Sequence, residues 1–273
     1  MINFRKIFLI VLVSINIVVI CILFGQFLGS YYIYNILSED NPVSETLSNP
    51  APVEKLKVLR LDSVKFYTLQ IGIYSEVKAA QANIDRLIEI GLRPFVSSGP
   101  PYKIWVGCFS EKNNGIVLKE NLEKKGFEIF IGEGLINDRA LKFPSDNSFM
   151  AGKFAPLLGE YNLVLNHSLK MFVSPHYSVY KEQVWSEMIN KIQEEVNRAI
   201  SKTDQILQMD ESKNYYQELS MLKEKAIIYG QVLDKIRETK RDEAVLLCQG
   251  YLLELIDCYH ETIEKVTNKV LIN

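Results

Sequence analysis

An internal repeat of 35 residues constrains this chain more than any other feature. The stretch IGIYSE at Ile71–Glu76 returns as VGCFSE at Val106–Glu111. At the same offset Tyr67 matches Tyr102, Leu87 matches Leu122, Gly91 matches Gly126 and Phe95 matches Phe130. Each copy reads strand–helix–strand. Phe66–Tyr74 and Tyr102–Phe109 alternate and are rich in β-formers. Ser75 and Ser110 stand where N-caps belong, each followed by an acid in the first turn. Ala79, Ala82 and Leu87, then Leu118 and Leu122, mark helical stretches. Gly91 and Gly126 suit the left-handed position that ends a helix, where a Cβ is costly. Arg93–Val96 and Glu128–Ile131 read as short second strands. Two such halves joined by Ser97–Pro101 predict a βαββαβ unit over 64–134, with both helices on one face of an open four-stranded sheet.

The flanks read differently. Ile7–Gly29 carries no charge over 23 residues, which as a helix spans roughly 34 Å, enough for a hydrocarbon core of ~30 Å. Arg5 and Lys6 precede it, acids follow it, and no further base appears before Lys55. The positive-inside rule then makes 1–6 a cytoplasmic tail and 7–29 a transmembrane helix, with all that follows extracytoplasmic. A cleaved signal peptide is the competing reading, with a shorter apolar region and a small-x-small cleavage site. Residues 30–63 read as an extracytoplasmic linker, because Ser38–Glu54 is rich in Pro, Ser and acids. Residues 135–175, punctuated by Pro144, Pro156 and Pro175, read as an irregular, short-helix connector.

Over 176–273 helical periodicity takes over. Trp185, Ile189, Ile192, Val196, Ala199, Thr203 and Ile206 step by four and three. So do Tyr215, Leu219, Leu222, Ala226, Tyr229, Leu233 and Ile236. Val245, Gln249, Leu252, Ile256, Tyr259, Ile263, Val266 and Val270 form a third seam. Polar breaks near 209–214 and 238–242 make turns, which predicts an antiparallel three-helix bundle that folds separately from 64–134.

On the repeat unit, strand alternation places Leu69, Ile71, Ile73, Ile104 and Val106 under the helices. Thr68, Gln70 and Gly72, with Lys103, Trp105 and Gly107, then share the opposite face. A Trp on an uncovered sheet face is informative, since its flat ring suits sugar C–H surfaces. Gln70 offers a donor and an acceptor to hydroxyls or N-acetyl groups. Glycines let a polymer approach the backbone. The alternative is that Trp105 packs under the C-terminal helices and Gln70 is a solvated strand residue.

The segments Tyr67-Thr68-Leu69-Gln70-Ile71-Gly72-Ile73-Tyr74 and Tyr102-Lys103-Ile104-Trp105-Val106-Gly107-Cys108-Phe109, with both helix-ending glycines, resemble the SPOR (sporulation-related repeat) domain family. The likeness covers Lys65–Gly132. It implies a ferredoxin-like α+β fold and binding of peptidoglycan glycan strands, preferentially those stripped of stem peptides, in division or sporulation. Strand alternation, independently of the likeness, assigns Thr68, Gln70, Gly72, Lys103 and Trp105 to the glycan. Departures are present as well: Arg is common where Lys103 and Trp105 stand, Pro where Cys108 stands, and a small polar residue where Ile73 stands.

Catalytic readings find little support. His167, His176 and His260 lack ligand spacing, so no metal is expected. Glu194-Glu195 and Asp242-Glu243 are adjacent on helices and point about 100° apart. No phosphate loop or nucleophile elbow occurs, and no cofactor is expected. The net charge of −2 argues against a nucleic-acid partner. The sequence thus predicts a non-enzymatic, single-pass envelope protein that binds glycan strands and positions wall machinery. A protein-interaction scaffold acting through a partner of the helical bundle is the alternative.

Overall fold

The computed structural model describes residues 56–97, 100–136, 141–144, 147–172, 181–237 and 241–272. Strands β2 (Val64–Tyr74), β3 (Phe95–Val96), β4 (Tyr102–Phe109) and β5 (Phe130–Ile136) form an antiparallel sheet in the order β3-β4-β2-β5. Helices α1 (Val77–Glu89) and α2 (Ile116–Lys124) follow β2 and β4. The first packs through Ala80, Ile84 and Leu87, one position on from the expected Ala79. Both helices end as expected. Gly91 and Gly126 take φ of 81° and 82°, and the amides of Leu92 and Phe127 reach back to the carbonyls of Leu87 and Leu122 at 3.0 and 3.1 Å. Their starts differ from expectation. Glu76 and Glu111, not Ser75 and Ser110, occupy the N-cap positions, and neither makes a side-chain cap hydrogen bond.

The rest is helical. Among the described residues α3 (Ala155–Met171), α4 (Glu182–Leu207), α5 (Tyr216–Ile236) and α6 (Arg241–Ile272) pack in chain order, each on the next. A π-helical turn at Met150–Phe154 leads into α3. Tyr161 of α3 ties the group together. Its hydroxyl lies 3.0 Å from that of Thr203 on α4, and its ring stacks on Tyr259 of α6 at 6.2 Å. The Tyr259 hydroxyl in turn donates to the Leu158 carbonyl at 3.0 Å, so the last helix closes back on the first.

The last helix also closes onto the sheet. Gln249 donates to the Cys108 carbonyl at 3.4 Å. Arg93, just before β3, stacks on Tyr251 at 3.9 Å and pairs with Glu254 at 2.7 Å. Gly250 is required here, because a Cβ on it would be driven into the Arg93 carbonyl oxygen. Glu254 carries a second ion pair, to Lys225 of α5 at 2.8 Å. Burial opposes its charge, but these hydrogen bonds prevail and hold its carboxyl below the usual range.

Several expectations are corrected. The fold class, an α+β ferredoxin-like domain beside a separate three-helix bundle behind a transmembrane helix, gives way to a mostly helical chain. Helices hold 68% of the described residues, so the four-stranded sheet is the minor component. The expected connector contains the 17-residue α3, which makes the helical group four-membered. The reason lies in burial that heptad seams do not report. Leu252, Leu253 and Leu255 on α6 are all fully buried, so this helix is covered on more than one side. The chain from Glu54 onward accordingly forms one unit rather than two. The expected linker ends early, since β1 (Leu56–Leu59) pairs antiparallel with β6 (Leu141–Pro144). The single-pass membrane assignment is corrected as well. The run 7–29 lies outside the described residues, and among those described no helix is long and apolar enough to cross a membrane. The long helices α4, α5 and α6 bury their apolar residues against each other and keep charged faces.

Two predictions follow from this packing. Residues 64–134 alone expose Val64, Phe66, Thr68 and Cys108, the sheet face that α3 and α6 cover. This fragment should show no cooperative thermal melt by circular dichroism, whereas 54–273 should melt in one transition. On α6, burial and the nearby Glu261 raise the Asp257 pKa to about 6, against the opposing pull of His260 and Lys265. A carboxyl whose pKa rises on folding takes up a proton, so its contribution to stability falls as pH climbs from about 4 to about 6. Asp257→Asn should therefore raise Tm at pH 7.5 and leave it unchanged at pH 4.

Candidate binding face of the sheet

The geometry of the face is set by a double irregularity in the β2–β4 ladder. Leu69 pairs with Gly107, Gln70 with Trp105, and Gly72 with Ile104. Val106 is therefore the extra residue on β4, and Ile71 the extra residue on β2. Directly paired residues on antiparallel strands share a face. Each bulge therefore shifts which residues face the helices α1 and α2 and which face away.

Of the five residues expected to bind, the structure groups three. Trp105 Nε1–H donates to Gln70 Oε1 at 3.3 Å, and both are half-buried. Lys103 follows two positions before Trp105 on the same face, and among the described residues its ammonium makes no ion pair. Thr68 is not available. It pairs with Cys108, against which Gln249 of α6 is packed, and is 4% exposed. Gly72 is on the other face. It pairs with the fully buried Ile104, and a Cβ there would meet the Tyr74 ring at 2.7 Å. The Tyr74 hydroxyl receives a hydrogen bond from Asn83 of α1 at 2.6 Å, which confirms the direction. Ile73, expected in the core, stands in its place: it pairs with Lys103 and is 59% exposed.

The face also holds two residues that strand alternation did not assign to it. Phe95 of β3 pairs with Trp105, and Phe130 of β5 pairs with Gln70. The result is one row across all four strands, in the order Phe95, Trp105, Gln70, Phe130. Phe95 and Trp105 rings are 5.6 Å apart at 31°, within the range of favourable tilted packing. Phe130 is 51% exposed. At the usual strand spacing the row is about 14 Å long. A signal for both phenylalanines was present in the sequence. Phe95 and Phe130 are repeat partners at the 35-residue offset, as are Gln70 and Trp105, so each copy contributes one inner and one outer member.

Helix α6 bounds the face on one side. It covers Cys108 and reaches Arg93, leaving Trp105 half-buried where the uncovered reading had it free. The packing alternative is thus met at the Thr68 end of the face and not at the Gln70 end. No charged side chain belongs to the row, and the charge of Arg93 is answered by Glu254.

Other candidate groups are committed elsewhere. His167 Nδ1 lies 2.8 Å from both carboxylate oxygens of the buried Glu195, a link between α3 and α4. Burial pushes the thiols of Cys108 and Cys248 up, the latter to about 12, which suits packing and not nucleophilic attack. No family model, curated protein or solved structure matches the chain.

The placement of Gly72 is testable. A methyl there must displace the Tyr74 ring and weaken its bond to Asn83, at a cost of about 1 kcal/mol. Gly72→Ala should lower Tm measurably, whereas a glycine on an open binding face would accept the methyl without loss.

Proposed function

We propose that this chain binds glycan strands of peptidoglycan through the face centred on Trp105 and Gln70, and that it has no catalytic activity of its own. The observation that carries the reading is the hydrogen bond from the Trp105 indole to Gln70 within an uncharged aromatic row. It fixes the ring plane at the sheet surface. It also leaves the Gln70 amide nitrogen, and the second lone pair of its oxygen, to meet hydroxyl or N-acetyl groups. A half-buried indole with an amide beside it suits pyranose rings, whose faces are apolar and whose rims are polar. The likeness of 65–132 to SPOR domains, carried by the two strands that hold Gln70 and Trp105, supports the same ligand. With the helices packed on the sheet, the natural role is to hold a partner of the helical region beside the wall polymer in division or sporulation.

Sedimentation with purified sacculi, intact and stripped of stem peptides, tests this. The whole chain should pellet with both and more strongly with the stripped form. Trp105→Ala should weaken binding roughly 5- to 150-fold, on the scale of about 1–3 kcal/mol for aromatic stacking on a flat ligand. Gln70→Ala should cost less, about 1 kcal/mol. A folded Trp105→Ala that pellets like the parent would reject the glycan reading in favour of a protein scaffold.

A further inference from the structure

The row is built twice over, and its two ends are not equally buried. Gln70 and Trp105 are repeat partners in the centre, while Phe95 and Phe130 are repeat partners at the ends. Phe95 leans on Trp105, so the two rings act as one platform. Phe130 stands apart, two strands from Trp105, with Gln70 between them. Two strand spacings are about 10 Å, too far for one flat ring to touch both. Phe130 also lies on β5, an outer strand of the sheet. Outer strands usually carry charge or are kept short to discourage association. Here a large apolar side chain is left half exposed in register with three partners.

We infer that Phe130 is a second stacking platform and that the face takes an extended amino-sugar polysaccharide lying across the strands, not a single sugar or a chain end. This rests on the glycan reading above. Charge decides the class of occupant. The four row residues are uncharged, and the nearby Arg93 is already paired. Single-stranded nucleic acid would need free cations to follow its phosphates along the row, and Lys103 alone does not supply them. The order ring, amide, ring matches a polymer that presents alternate apolar faces and polar rims. A ligand spanning both platforms must hold at least two units in place at once, so affinity should grow with length until the row is filled.

The experiment titrates the whole chain with chito-oligosaccharides from dimer to hexamer by calorimetry, using the parent, Phe130→Ala, Phe130→Trp and Trp105→Ala. Phe130 is half exposed, so its replacement should leave Tm nearly unchanged. The parent should bind the hexamer more tightly than the dimer. Phe130→Ala should weaken hexamer binding by roughly tenfold and leave dimer binding as in the parent. Phe130→Trp should restore the hexamer, and Trp105→Ala should lose both. The same variants are sedimented with stripped sacculi, where Phe130→Ala should again bind more weakly than the parent. If the parent binds neither oligomers nor sacculi, the glycan reading and this inference fall together. If the parent binds and Phe130→Ala binds equally well at every length and to sacculi, this inference alone is overturned.

Discussion

The packing of α6 against the sheet is the contact on which the remaining architecture depends. A four-stranded sheet with two short helices can cover only one of its faces, and Val64, Phe66, Thr68 and Cys108 would otherwise face water. The last helix supplies the cover. Gln249 bonds the β4 backbone, Gly250 permits the close approach to Arg93, and Glu254 pairs with Arg93 just before β3 and with Lys225 of α5. Because α6 also closes onto α3 through Tyr259, the same helix joins the sheet and the helical group in one core. Burial on more than one side explains why it is apolar beyond a single seam.

This cover has a boundary, and the row of Phe95, Trp105, Gln70 and Phe130 lies just beyond it. At the Cys108 end the sheet is sealed. One bulge further along β4, Trp105 emerges half-buried beside Gln70. The bulges matter because strand side chains have a period of two, so one extra residue exchanges the faces. That exchange removes Gly72 from the face, brings Ile73 to it, and leaves Trp105 and Gln70 in register.

The parts of the fold that were legible before the structure are those encoded locally. The glycine helix ends at Gly91 and Gly126 follow from one residue's freedom to take positive φ. The seams of α4, α5 and α6 follow from periodicity. The joint placement of Gln70, Lys103 and Trp105 follows from alternation together with the repeat. What alternation could not reveal was its own interruption, since no residue type at Ile71 or Val106 signals a bulge. The helix at Ala155–Met171 was obscured by Pro156, which reads as a breaker but falls in the first turn of α3, directly after the π-helical turn at Met150–Phe154.

By itself, then, the sequence determined the two related halves, the turns between them and the apolar seams of the later helices. Each of these depends on backbone preference or on spacing within one element. Only the tertiary structure decided which sheet face is sealed, which residues change faces, and that Phe95 and Phe130 join Trp105 and Gln70 in one row. Those outcomes depend on contacts between residues far apart in the chain, such as Gln249 with Cys108 and Arg93 with Glu254. No local pattern specifies such a contact, because its energy exists only once both elements are in place.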